Sequence, residues 1–221
     1  MTAPATTDTP PVEPPVTSSG DRRPAGRYGV LALAAAVVVG LLLGYAGGLL
    51  TPTLTRPGDS SAEAGFARDM STHHAQAVEM GLIAFDRGTD PEVRQIGGDI
   101  ATGQQGEIGT MQTWLRSWGL DPTGSEPRMA WMPDGATVEN GLMPGMATPE
   151  EMAKLRVAQG RELDVLFLQM MIKHHLGGIH MIQGILDAGS DDDVLKVAQI
   201  MKNTQQTDLT NLQNALKRLG G

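Results

Sequence analysis

Sliding the sequence by 101 residues lays 63–119 over 164–220 without a gap. Phe66/Phe167, Met70/Met171, His73/His174, His74/His175 and Met80/Met181 are identical pairs. Asp86/Asp187, Gly88/Gly189, Asp90/Asp191, Val93/Val194, Gln104/Gln205, Gln105/Gln206, Gln112/Gln213, Leu115/Leu216 and Gly119/Gly220 continue the match. Each half reads as a helical hairpin. One hairpin cannot bury its apolar faces alone, but two can bury them against each other. The expectation is an all-α, four-helix bundle built from two repeated hairpins with pseudo-twofold symmetry.

Local signals place the elements. Helical patterning begins near Ser60 and runs to about Arg87. Thr89-Asp90-Pro91-Glu92 is a helix start with proline in the first turn, and Gly119 ends the second helix. Residues 120–147 are rich in proline and glycine, lack periodicity and read as a long Met-rich connection. Thr148-Pro149-Glu150-Glu151 is a capping box. A long helix is expected from there to about Ala188, with a bend near Gly160. Ser190, with Asp193 three residues on, is the expected cap of the last helix. The domain thus spans 61–221, as hairpin 61–119, connection 120–147 and hairpin 148–221.

The segment ahead of the domain has a different character. Residues 1–27 are rich in Pro, Thr, Ser and Ala and are expected to be a disordered cytoplasmic tail. An uncharged apolar run follows from Gly29 to Leu50. At roughly 1.5 Å per residue it is long enough to cross a bilayer core. Arg22, Arg23 and Arg27 precede it, which orients a single-pass transmembrane helix (28–50) with the N-terminus inside and the later residues outside. Residues 51–60 read as a linker. The alternative is a cleaved signal peptide and a secreted domain. Against it, the apolar run and the tail before it are both long, and no clean Ala-x-Ala site follows.

Charge and composition narrow the function. From residue 59 on, 13 lysines and arginines face 22 aspartates and glutamates, which argues against nucleic acid as a partner. Cysteine is absent and methionine occurs thirteen times, so thioether is the soft ligand available. Both halves contain Met-x-x-His-His-x-x-x-x-x-Met: Met70, His73, His74, Met80, then Met171, His174, His175, Met181. At about 100° per residue, each set of four falls within an arc of about 120° on its helix. His180 points the opposite way, and its partner position is Glu79. Imidazole suits copper, zinc, iron and nickel, and thioether selects Cu(I), so a mixed set suits both copper oxidation states. Hard cations would prefer oxygen. The bland reading is that the methionines fill a core and that duplication copied a structural His-His motif.

The connection adds Met129-x-x-Met132 and Met143-x-x-Met146, spaced either to clamp a soft ion or merely to anchor the loop. Glu63, Asp164, Glu107 and Asp208 are paired carboxylates that either orient imidazoles or serve as caps and surface charges. The paired glutamines 104, 105, 205 and 206 have no assigned role.

At these residues the chain resembles the domain of unknown function family 305. The resemblance covers about 63–220. It rests on Asp164-x-x-Phe167, Met171-Ile172-x-His174-His175 and Met181, with the earlier copy Glu63-x-x-Phe66, Met70, His73-His74 and Met80. Gln104-x-x-Glu107, Gln205-x-x-Asp208, Trp114-Leu115 and Trp118-Gly119 also look like the family. The resemblance implies a ferritin-like bundle, often exported, with some members linked to copper, and it implies no enzymatic activity. The expectation is a membrane-anchored protein that binds, buffers or delivers copper, Cu(I) or Cu(II), outside the membrane, with an unidentified transfer partner. Met143 and Met146 join the eight helix-borne residues as candidate ligands. The alternatives are a non-enzymatic interaction module with a structural His-His core and a di-iron oxidase. The latter lacks the Glu-x-x-His motif such sites need.

Overall fold

The computed structural model describes residues 26–54, 56–135 and 138–220. The expected disordered tail lies outside the described residues, apart from its last two positions, which are helical. The chain divides into two compact units, 1–55 and 56–221. Among the described residues there are six helices and no strands.

The first unit contains α1 (Gly26–Leu54). Within it Gly29–Leu49, with mean hydropathy 2.3, is long and apolar enough to cross a membrane, a property shared by signal sequences. The helix continues four residues past the expected end. Pro57 then disfavours helical geometry at Arg56.

The second unit contains α2 (Ala62–Arg87), α3 (Pro91–Trp118), α4 (Pro149–Val157), α5 (Gly160–Ala188) and α6 (Asp192–Arg218). Ser61 caps α2 by accepting from Ala64 N, and Asp90 caps α3 by accepting from Glu92 N and Val93 N. Gly119, at φ 75°, ends α3 in the left-handed conformation that costs glycine least. The capping box at Thr148 forms, with Thr148 and Glu151 each accepting the other's backbone N–H.

Two local expectations need correction. The helix after Thr148 does not run to Ala188: it breaks at Ala158-Gln159 into α4 and α5. Gly160 sits at φ 59°, and the Arg87 guanidinium donates to the carbonyls of Arg156 and Ala158, satisfying the freed end of α4. The cap of α6 is Asp191, which accepts from Asp193 N and Val194 N. Ser190 is occupied elsewhere, by Glu63.

The four long helices pack in the cyclic order α2–α3–α6–α5. Two buried carboxylates tie the hairpins together reciprocally. Glu63 at the start of α2 accepts from Ser190 N (2.7 Å), Ser190 Oγ (3.1 Å) and Asp191 N (3.2 Å) in the α5–α6 turn. Asp164 near the start of α5 accepts from Thr89 N (3.0 Å), Thr89 Oγ1 (2.5 Å) and Asp90 N (3.0 Å) in the α2–α3 turn. These contacts make α2 and α5 antiparallel. Burial opposes the charge on Glu63, but the donors from Ser190 and Asp191 outweigh it and hold its carboxyl below the usual range. Two apolar clusters fill the unit. One is built around Phe66, Met70, Met111 and Met181, the other around Met80, Phe167, Met171 and Leu212.

Candidate metal centre

The four paired histidines meet where α2 and α5 cross. All are buried, as are Met70, Met80, Met171 and Met181. The His73 and His174 rings lie 3.8 Å apart, centroid to centroid, tilted by 36°, and the His73 and His74 rings lie 6.4 Å apart. α3 and α6 supply carboxylates from behind. His74 Nε2 donates to Glu107 Oε2 at 2.7 Å, and His175 Nε2 pairs with Asp208 Oδ2 at 3.4 Å. His175 Nδ1 also lies 3.2 Å from the Met171 carbonyl. His73 Nε2 donates to the Pro144 carbonyl at 3.0 Å.

These bonds choose tautomers. With the Nε2 proton committed to a carbonyl or carboxylate, the His73 and His74 rings present Nδ1 as a lone pair. His73 Nδ1, His74 Nδ1 and His174 Nε2 are buried without a partner. Burial, reinforced by the neighbouring His74, pushes His73 down to about 3. Burial, then His73, holds His174 well below the usual histidine range. Both rings are therefore neutral near pH 7, the form that ligates metal. Among the described residues no three His or carboxylate side chains converge into a complete metal cage. A metal here needs further donors, and the buried methionines of the two apolar clusters are the soft ones on the same helices.

The candidate methionines divide about the histidines. Met70 and Met181 share one buried cluster with Met143, and Met146 packs on its edge. Met80 and Met171 share the other cluster. Each pair draws one residue from α2 and one from α5, as antiparallel packing of matched sequences requires. His180 is about half exposed and pairs with Asp134 at 3.1 Å, away from the layer. The paired carboxylates separate by role: Glu107 and Asp208 hold imidazoles, whereas Glu63 and Asp164 cap the opposite turn.

The connecting segment is a fitted cover. Gln76 grips Ala147 through both amide atoms, to its N at 2.7 Å and its O at 2.9 Å. With the His73–Pro144 bond, this binds 144–147 to one face of α2. On the α5 side, a Cβ at Gly177 would collide with the Pro144 carbonyl. Earlier in the connection, buried Asp69 accepts from Met129 N (2.7 Å) and Trp131 Nε1 (2.9 Å), and burial raises its pKa. Met129 takes φ 65° there. Reading the repeat by its identities missed Asp69, Gln76 and Gly177. Their signal lay in the mismatches: their partners are Met170, Gly177 and Gln76.

Fold and site together define an all-α protein with a buried Met/His layer at the crossing of two hairpins. The chain belongs to the family Domain of unknown function (DUF305), whose model matches residues 63–216. A DUF305 protein from Streptomyces coelicolor, described as a candidate secreted protein, is 41% identical with TM-score 0.69, covering 74% of this chain and 97% of its own. A DUF305 fragment from Deinococcus radiodurans is 29% identical with TM-score 0.62, covering 73% of this chain and 99% of its own. CopM in its Cu(I)-bound form is 20% identical with TM-score 0.57, covering 73% of this chain and 99% of its own. No protein of curated function matches the chain.

Proposed function

We propose that this chain is a non-enzymatic, extracytoplasmic metal-binding protein that holds copper as cargo, for buffering or delivery. The observation that carries the reading is the trio of buried, unpartnered imidazole nitrogens on helices whose neighbouring turns carry buried methionines. Leaving each such atom without a partner costs about 1–3 kcal/mol, which an ion would offset. His73, His74 and His174 would supply nitrogen. Met70, Met80, Met171 and Met181 would supply sulfur, with Met143 and Met146 from the cover, and His175 would join only by giving up its contact with the Met171 carbonyl. This donor mixture matches copper chemistry and discriminates against calcium and magnesium. The same fold in CopM has been solved with Cu(I), Cu(II) and silver bound, which supports the reading. The scaffold is a ferritin-like four-helix bundle, and α1 is its membrane anchor, oriented by Arg22, Arg23 and Arg27.

A structural His-His motif is the competing reading, and the His73–His174 ring contact favours it. Metal uptake by the full chain in detergent separates the two. The wild type should bind copper, and the quadruple His→Ala variant at 73, 74, 174 and 175 should lose it. Equal uptake by both proteins would refute the assignment.

A further inference from the structure

Six buried side-chain nitrogen and oxygen atoms have no partner among the described residues. Three are the imidazole nitrogens of His73, His74 and His174. The others are Gln104 Oε1 and both amide atoms of Gln205. Gln104 lies one turn before Glu107 on α3, and Glu107 holds His74. Gln205 lies one turn before Asp208 on α6, and Asp208 holds His175. Gly178, one turn beyond His174, has no side chain where a Cβ would collide with the Gln205 amide. Gln205 therefore lies against α5 one turn from His174, Gln104 holds the matching position on α3, and Gln104 and Gln205 are 5% and 2% exposed.

The chemistry of these atoms goes beyond what a bare soft ion can satisfy. Imidazole nitrogen and amide oxygen offer lone pairs, and a cation accepts those. The Gln205 NH2 offers protons, which need an oxygen acceptor. Water carried by the ion would supply one. Amide oxygen is also a harder donor than thioether and suits a divalent ion better than a monovalent one.

We propose that Gln104 and Gln205 belong to the ion-binding layer, offering amide oxygen and an amide donor to a hydrated Cu(II) ion, and so set how well the oxidised ion is held relative to the monovalent one. The inference rests on the copper reading above. Leucine at either position keeps the bulk and removes the polar atoms. The Gly178→Ala variant instead displaces the Gln205 amide while deleting no polar side chain.

The test uses the full chain in detergent, with Cu(II) alone and Ag(I) alone as probes, followed by calorimetry and Cu(II) electron paramagnetic resonance. The Gln205→Leu variant should bind Cu(II) about tenfold more weakly or worse. Its copper hyperfine pattern should change, and its Ag(I) affinity should stay within about threefold. Its metal-free thermal midpoint should hold or rise, because buried unpartnered polar atoms are gone. The Gly178→Ala variant should reproduce the Cu(II) loss, and it decides the matter if Gln205→Leu does not fold. Unchanged Cu(II) affinity and spectrum, in variants of a wild type that binds Cu(II), would overturn the glutamine assignment and leave the copper reading standing. A wild type that binds neither ion would overturn both.

Discussion

The hairpin α2–α3 and the hairpin α5–α6 carry matched sequences, yet they do different work at the site. In the first, His74 sits 2.7 Å from its carboxylate, and in the second His175 sits 3.4 Å from its own. His73 gives its Nε2 proton to Pro144, whereas His174 Nε2 has no partner. The mismatches in the repeat explain the asymmetry. Gly65/Leu166, Asp69/Met170, Gln76/Gly177 and Ile83/Gly184 each include a residue that meets the connecting segment. Asp69 and Gln76 bond it, and a Cβ at Gly65, Gly177 or Gly184 would strike it. Two hairpins of matched sequence joined by a single connection must differ wherever that connection lies. Here it lies across one face of the histidine layer.

The largest test of this difference is Asp69→Ala. It strands Met129 N and the Trp131 indole inside the protein and removes two hydrogen bonds to a buried carboxyl, at a cost of about 4 kcal/mol in chemical denaturation. The matched change Met170→Leu should cost under about 1.5 kcal/mol. Similar costs would mean that the connection contributes little to the first hairpin.

Gly177→Ala drives a methyl group into the Pro144 carbonyl. It should cost about 2–3 kcal/mol and speed amide exchange at residues 145–147. Unchanged exchange would show that 144–147 is not held against α5.

Acid should also weaken the unit. His73 and His174 are neutral when folded, with pKa values below that of the unfolded chain. Below about pH 6.5 the unfolded state binds protons that the folded state refuses, so stability falls with pH, for His73 until about 3. Between pH 6.5 and 5.5 the two together should remove roughly 2 kcal/mol from metal-free protein. His73→Gln and His174→Gln should each abolish about half of that slope. A flat pH dependence in the wild type would contradict the burial of the neutral rings.

The smallest effect separates the carboxylates. Glu107→Gln should weaken copper binding about tenfold more than Asp208→Asn, because only the first takes the charge from a short bond to an imidazole with a free Nδ1. Titration of both variants decides it, and equal losses would make the two histidines equivalent.

Much of this was legible in the chain. The offset of 101 announced two hairpins, the capping signals at Asp90 and Thr148 placed helix starts, and the wheel put the Met/His residues on one face while excluding His180. Those features are local: they depend on spacing, on small capping side chains and on copies of the same segment. Two boundaries failed for nonlocal reasons. The α4–α5 break is finished by Arg87, and Ser190 is engaged by Glu63, each from another helix. Sequence alone thus determined the helical class, the duplication and the inventory of soft donors. Tertiary structure alone decided which carboxylates face imidazoles, which imidazole nitrogens remain unpartnered and where the connection crosses. Periodicity reports the face a residue occupies, whereas hydrogen-bond partners across a core depend on which helices meet there and in what register.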